Sequence, residues 1–116
     1  MTRARLTTPV AVLAAGAALL IAGPAEAKVH KAQVSSNFFA PGKLTVKTGD
    51  KVRFVWDEFS FEDHDVNVRK GPAKFHSPLQ AGGTWSTKKL TKTGKYVLFC
   101  SQHPEEMTMT LKVKRR

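Results

Sequence analysis

The sequence predicts an all-β, Greek-key sandwich of about seven to eight strands, and three observations carry that expectation. Short stretches alternate apolar and polar residues with a period of two, as in Lys51-Val52-Arg53-Phe54-Val55-Trp56 and Met109-Thr110-Leu111-Lys112-Val113. Turn residues punctuate them at Pro41-Gly42, Thr48-Gly49-Asp50 and Thr93-Gly94. No stretch after residue 27 keeps a helical period over the length of a helix.

The chain opens on a different pattern. Arg3 and Arg5 precede an apolar run at 10–22, and Ala25-Glu26-Ala27 has the small-x-small form of a secretory cleavage site, so residues 1–27 are expected to be a cleaved signal peptide. The apolar run is about thirteen residues, short of the roughly twenty that a spanning helix needs, and none like it follows. Stable membrane insertion is therefore not expected. Ala4 separates the two arginines, so they form no twin-arginine pair. Residues 28–116 remain as one small exported domain, periplasmic or extracellular, with no internal repeat and no boundary that divides it.

Within that domain, residues 28–36 alternate weakly, with Ala32 and Val34 on one face, and read as a first strand. Residues 37–42 read as a turn carrying Phe38 and Phe39. Leu44 and Val46, then Val52, Phe54 and Trp56, mark two strands joined by the short Thr48-Gly49-Asp50 turn. Residues 57–63 are an acidic loop containing Phe59 and Phe61. After it His64, Val66 and Val68 alternate with Asp65, Asn67 and Arg69, which puts the His64 side chain on the inner face of a strand. The Gly- and Pro-rich stretch 71–83 reads as a loop or crossover, and 84–89 around Trp85 as a further strand. Residues 95–100 are apolar on both faces, as in a central strand. A last strand carries Met107, Met109, Leu111 and Val113.

Charge narrows the function. The formal net charge of +10 becomes +9 once Arg3, Arg5 and Glu26 leave with the leader. Such an excess attracts acidic partner proteins. The basic residues scatter without the interleaved aromatics that bind single strands, so no nucleic-acid partner is expected, and nothing calls for more than a monomer.

The sole cysteine, Cys100, is unusual in an exported domain, because small secreted domains lean on paired cysteines. Its neighbours give it a role. Cys100, His103 and Met107 lie within eight residues, and a thiolate, an imidazole and a thioether suit copper better than zinc, calcium or magnesium. His64, inward-facing at the start of a strand, supplies a second imidazole. Cys100 as a catalytic nucleophile with His103 as base fits poorly: the two are i and i+3 in a tight loop, with no oxyanion-hole signature and no third orienting group. His30 and His76 read as surface or packing residues.

These residues resemble the cupredoxins, the small blue-copper proteins. The resemblance covers nearly all of 38–113: Phe39-x-Pro41 leading to Leu44-x-Val46 and Gly49-Asp50, then His64-x-Val66, then Gly94-x-Tyr96 before Phe99-Cys100, then Cys-x2-His before Met. It implies one type 1 copper ion held by His64, Cys100, His103 and Met107, with His103 nearest solvent as the electron port and Pro104, Phe38 and Phe39 around it as an apolar rim. Met109 competes with Met107 for the axial position. In the resembled proteins the axial methionine precedes two inward strand residues by four and six, which Met107 does with Leu111 and Val113. The chain departs from the family at Asp65, where asparagine is common; its carboxylate is placed to accept from the Ser101 hydroxyl. The implied function is a one-electron carrier exchanging with acidic redox proteins, and not an enzyme. The alternative is a copper-binding carrier or store, against which stands the lack of Met- or His-rich tracts.

Overall fold

The computed structural model describes residues 26–116, so the expected leader lies outside the described residues apart from its last two positions. Eight strands follow: β1 Val29–Ser35, β2 Phe38–Ala40, β3 Lys43–Lys47, β4 Lys51–Trp56, β5 Asn67–Lys70, β6 Gly83–Ser86, β7 Gly94–Phe99 and β8 Thr108–Lys114. They form two four-stranded sheets, ordered β2-β1-β4-β6 and β3-β8-β7-β5, with no helix among the described residues. Each sheet is mixed: β1 runs parallel to β4 and β3 parallel to β8, the other neighbours antiparallel.

The core follows the alternation in the sequence. Ala32 and Val34 on β1, Val52, Phe54 and Trp56 on β4, Tyr96 and Leu98 on β7, and Met109, Leu111 and Val113 on β8 are buried between the sheets. The expected two-sided burial of β7 holds only in part, since Lys95 is exposed and Val97 and Phe99 are half-buried.

The pairing departs from the sequence reading in three places. The strands flanking Thr48-Gly49-Asp50 do not pair with each other: β3 lies in one sheet and β4 in the other, so the turn, with Gly49 at φ 94°, carries the chain across the sandwich. Both strands still point their apolar residues into one core, now from opposite sides. The expected turn at 37–42 contains a strand, because Asn37, at φ 68°, turns the chain tightly enough for β2 to pair with β1. Phe39 is consequently buried, edge-on to Phe54 with ring centroids 6.2 Å apart, and is no part of an exposed rim, whereas Phe38 is exposed. Lastly, a regular strand begins at Asn67 and not at His64, which makes an isolated bridge with Gln80. The inward parity holds nonetheless: His64, Val66 and Val68 are all buried.

One end of the sandwich is closed by Asp50. Its carboxylate accepts from the Lys28 amide at 2.8 Å, the Lys47 amide at 2.9 Å and His30 Nε2 at 2.8 Å, and it meets the Arg116 guanidinium. His30, expected at the surface or in packing, thus hydrogen-bonds to a buried carboxylate. Burial alone raises the Asp50 pKa, but the two amides, His30 and Arg116 outweigh it and hold the carboxyl well below its ordinary 3.8. The folded pKa being depressed, this stabilisation is complete above the unfolded value and lost as pH falls beneath it. Asp50→Asn is expected to cost roughly 2–4 kcal/mol at pH 7. Urea unfolding should also show a shallower loss of stability between pH 4 and pH 2 in the variant than in the wild type.

Candidate metal centre

The opposite end gathers the residues that the sequence singles out. Antiparallel β7 and β8 stay in register to Phe99 and Thr108, and the eight-residue link between them folds back on itself. The Cys100 amide donates to the Met107 carbonyl at 3.1 Å, the His103 amide to the Cys100 carbonyl at 3.2 Å, and the Met107 amide to the His103 carbonyl at 3.0 Å. Backbone bonds alone therefore fix the spacing of the three residues.

His64 arrives from the segment after β4. Its amide and carbonyl exchange hydrogen bonds with Gln80, and Trp56 Nε1 donates to its carbonyl at 3.1 Å. These bonds aim the imidazole inward: Nδ1 lies 3.7 Å from Cys100 Sγ, and the ring centroid lies 5.3 Å from that of His103. His64, Cys100 and Met107 are fully buried, whereas the His103 side chain keeps 19% exposure. Met109 is buried beside them on β8, opposite Leu98.

Polar groups around these side chains lock the geometry. Asp65 accepts from both the Ser101 amide and the Ser101 hydroxyl, each at 2.7 Å, the hydroxyl contact being the one expected from sequence. Burial raises the Asp65 pKa, but the Ser101 bonds, with help from Asn67 and Cys100, outweigh it and the net shift is downward. The His64 pKa is lowered, chiefly by burial and then by the charge of His103, against the opposing pull of Glu62, Asp63 and Asp65. A neutral imidazole with a free lone pair is the form that binds a metal.

Glu62 is the residue that sequence reasoning passed over. Its carboxylate lies 2.9 Å from His103 Nε2, while Glu106 approaches His103 Nδ1 at 3.5 Å. Ligand atoms of Glu62, His64 and His103 come within 4.8 Å of one another. Nothing in its spacing distinguishes Glu62 from the other acids of its loop; only the fold places it. His76, by contrast, pairs with Asn67 through an isolated bridge and joins no such cluster.

The donor chemistry fits copper. A buried thiol faces an imidazole nitrogen, and the other ring nitrogen of that imidazole, His64 Nε2, is buried with no hydrogen-bond partner among the described residues. Soft sulfur and imidazole donors at one buried locus are the combination that selects copper over magnesium or calcium.

Comparison with known proteins agrees with that chemistry. Residues 25–114 match the family described as copper binding proteins, plastocyanin/azurin family. Among solved structures the chain is similar to the copper-containing nitrite reductase NirK from Thermus scotoductus SA-01, at 30% identity and a TM-score of 0.65 over 75% of this chain, though it spans only 22% of that one. It is also similar to amicyanin. A reduced proline-to-phenylalanine variant is 23% identical with a TM-score of 0.63, covering 74% of this chain and 82% of that chain. The copper(I) form of a methionine-to-alanine variant is 22% identical with the same TM-score of 0.63, over 74% and 82%. At that identity the amicyanin likeness speaks to the fold. No curated protein matches the chain. Two mixed sheets closing over soft donors, and a family match spanning nearly all of the described residues, lead to one conclusion: the chain belongs to the plastocyanin/azurin family of copper binding proteins, a cupredoxin with copper as its cofactor.

Proposed function

We propose that the chain is an exported type 1 copper protein that carries single electrons, with His64, Cys100, His103 and Met107 as the metal ligands and residues 1–27 as a leader removed on export. The observation that carries this reading is the gradient of exposure among the four: three buried side chains and one imidazole at the surface. Copper bound there supplies one-electron chemistry, cycling between Cu(I) and Cu(II).

The chain's own residues do the rest. His64 and Cys100 come preset by the backbone bonds of the Gln80 bridge and the 100–107 loop, so little rearrangement accompanies a change of oxidation state. Four protein donors leave no open position for a substrate, which supports a carrier and not an enzyme. His103 gives an edge through which an electron leaves. No helix among the described residues is long and apolar enough to cross a membrane.

Cu(II) added to the purified protein is expected to produce an intense thiolate band in the visible, reversible on reduction and re-oxidation, and Cys100→Ser to abolish it. A colourless protein that binds Cu(I) and surrenders it to a chelator sinks the carrier reading in favour of copper delivery. Met107→Leu should shift both the band and the reduction potential, while Met109→Leu should leave them in place and cost less than about 1.5 kcal/mol of stability. Asp65→Asn removes a negative charge beside the thiolate and is expected to raise the reduction potential by roughly 20–60 mV, measured by voltammetry.

A further inference from the structure

Resting on that carrier reading, we infer that the copper end of the molecule docks onto a redox protein whose own electron port is ringed by lysine and arginine side chains. The net charge points the other way, so the case depends on where the charges sit.

Residues 28–116 contain eight carboxylates, and seven of them fall in two short segments, 57–65 and 105–106. Both segments belong to the copper end: Glu62 and Glu106 contact the His103 ring, and Asp65 bonds to Ser101. The eighth, Asp50, is buried at the far end. The cations concentrate where Asp50 is. Hydrogen bonds from Thr48 to Lys114, from Leu90 to Asp50 and from Lys51 to Lys28 draw together the β3–β4 turn, the lysine-rich link after β6 and the basic C-terminal tail. Among the described residues, the basic side chain bonded to the 100–107 loop is Arg69, which donates to the Pro104 carbonyl and lies over the Phe99 ring.

Distance decides which pole a partner feels. The six residue steps along β8 from Thr108 to Lys114 separate the poles by ~20 Å. At an ionic strength of about 0.1 M the Debye length is about 10 Å, so the basic pole is screened by about two Debye lengths at the His103 edge. A docking partner therefore meets local negative charge despite the overall +9. Attraction to acidic surfaces belongs to the other pole.

The same face offers apolar area. Phe59 and Phe61 are 59% and 79% exposed in the segment that carries Glu62. They are held out by bonds and not by slackness: Ser36 Oγ donates to the Phe59 carbonyl and accepts from the Phe61 amide, and the Phe59 amide donates to Asp57. Aromatic anchors within a charged rim are the usual composition of a transient interface.

The test compares two oxidants of opposite charge on the reduced, copper-loaded protein: tris(1,10-phenanthroline)cobalt(III) and hexacyanoferrate(III). Each takes one electron from copper(I), leaving copper(II) and either cobalt(II) or iron(II), with no proton transferred. From about 0.1 to 0.5 M ionic strength, the cobalt rate is expected to fall about twofold or more and the hexacyanoferrate rate to hold or rise. Combining Glu58→Gln, Asp63→Asn and Glu105→Gln, whose side chains hydrogen-bond to none of the proposed ligands, should slow the cobalt reaction about twofold and speed the other. Lys88→Gln with Lys114→Gln should change neither by as much. In parallel, the purified protein is titrated at about 0.1 M salt with mitochondrial cytochrome c, whose haem edge is ringed by lysines, and followed by amide NMR. Shifts over 57–63 and 101–106 are the expected result. Shifts gathered at 47–51 and 112–116, no shifts at all, or a hexacyanoferrate reaction that slows with salt as the cobalt one holds, each overturn the proposal. A protein that takes up no copper fails the carrier reading instead, and the NMR titration still decides the docking face.

Discussion

The Asp65 carboxylate ties together two stretches of chain where the pairing of β5 with β7 brings them side by side, just beyond Asn67 opposite Phe99. His64 enters from the loop after β4, and Cys100 stands 36 residues later at the end of β7. Asp65, next to His64, accepts twice from Ser101, next to Cys100. Hydrogen bonds to a charged acceptor contribute about 1.5–3 kcal/mol each, enough to offset the desolvation that burial of the carboxylate imposes. Asparagine keeps the shape and could accept from the Ser101 amide while donating to the Ser101 hydroxyl oxygen, but it would bring no charge to either bond. The separation of imidazole and thiol thus rests on this bidentate polar clasp together with the strand pairing and the backbone bonds of His64, with the apolar core behind them.

That arrangement gives the site a stiff interior and a softer rim. Backbone bonds from Gln80 and a ring bond from Trp56 hold the His64 peptide, and the 100–107 loop is closed by its own amides. His103 is positioned differently: its backbone is fixed, but its ring is steadied by two exposed carboxylates, those of Glu62 and Glu106. Exposed pairs of this kind contribute little to stability. Their value lies in orientation and in the local potential at the edge of the ring.

The inward alternation of β1, β4 and β8 was legible in the sequence, because a period of two maps directly onto one buried face. So was the parity of His64, which held although the regular strand starts later. Pairing was not legible. A Thr-Gly-Asp turn serves a hairpin and a crossing between sheets alike, and only packing of both flanking strands against one core assigned β3 and β4 to different sheets. Phe38 and Phe39 looked equivalent as neighbours in a presumed turn; a three-residue strand sent one outward and one into the core. Glu62 escaped notice since its role depends on a contact 41 residues away. Net charge had the same weakness: a sum carries no position, and here the two signs separate along the strands.

At the pole remote from the metal, the Lys28 peptide nitrogen donates to buried Asp50. If the proposed leader is cut after Ala27, that amide nitrogen becomes a free ammonium group next to the Asp50 carboxylate. The carboxylate then gains a full positive charge in place of a dipole. Removal of the proposed leader would in that way add a counter-ion to a carboxylate that two amides, His30 and Arg116 already hold, so that export would reinforce an end of the sandwich that is closed beforehand.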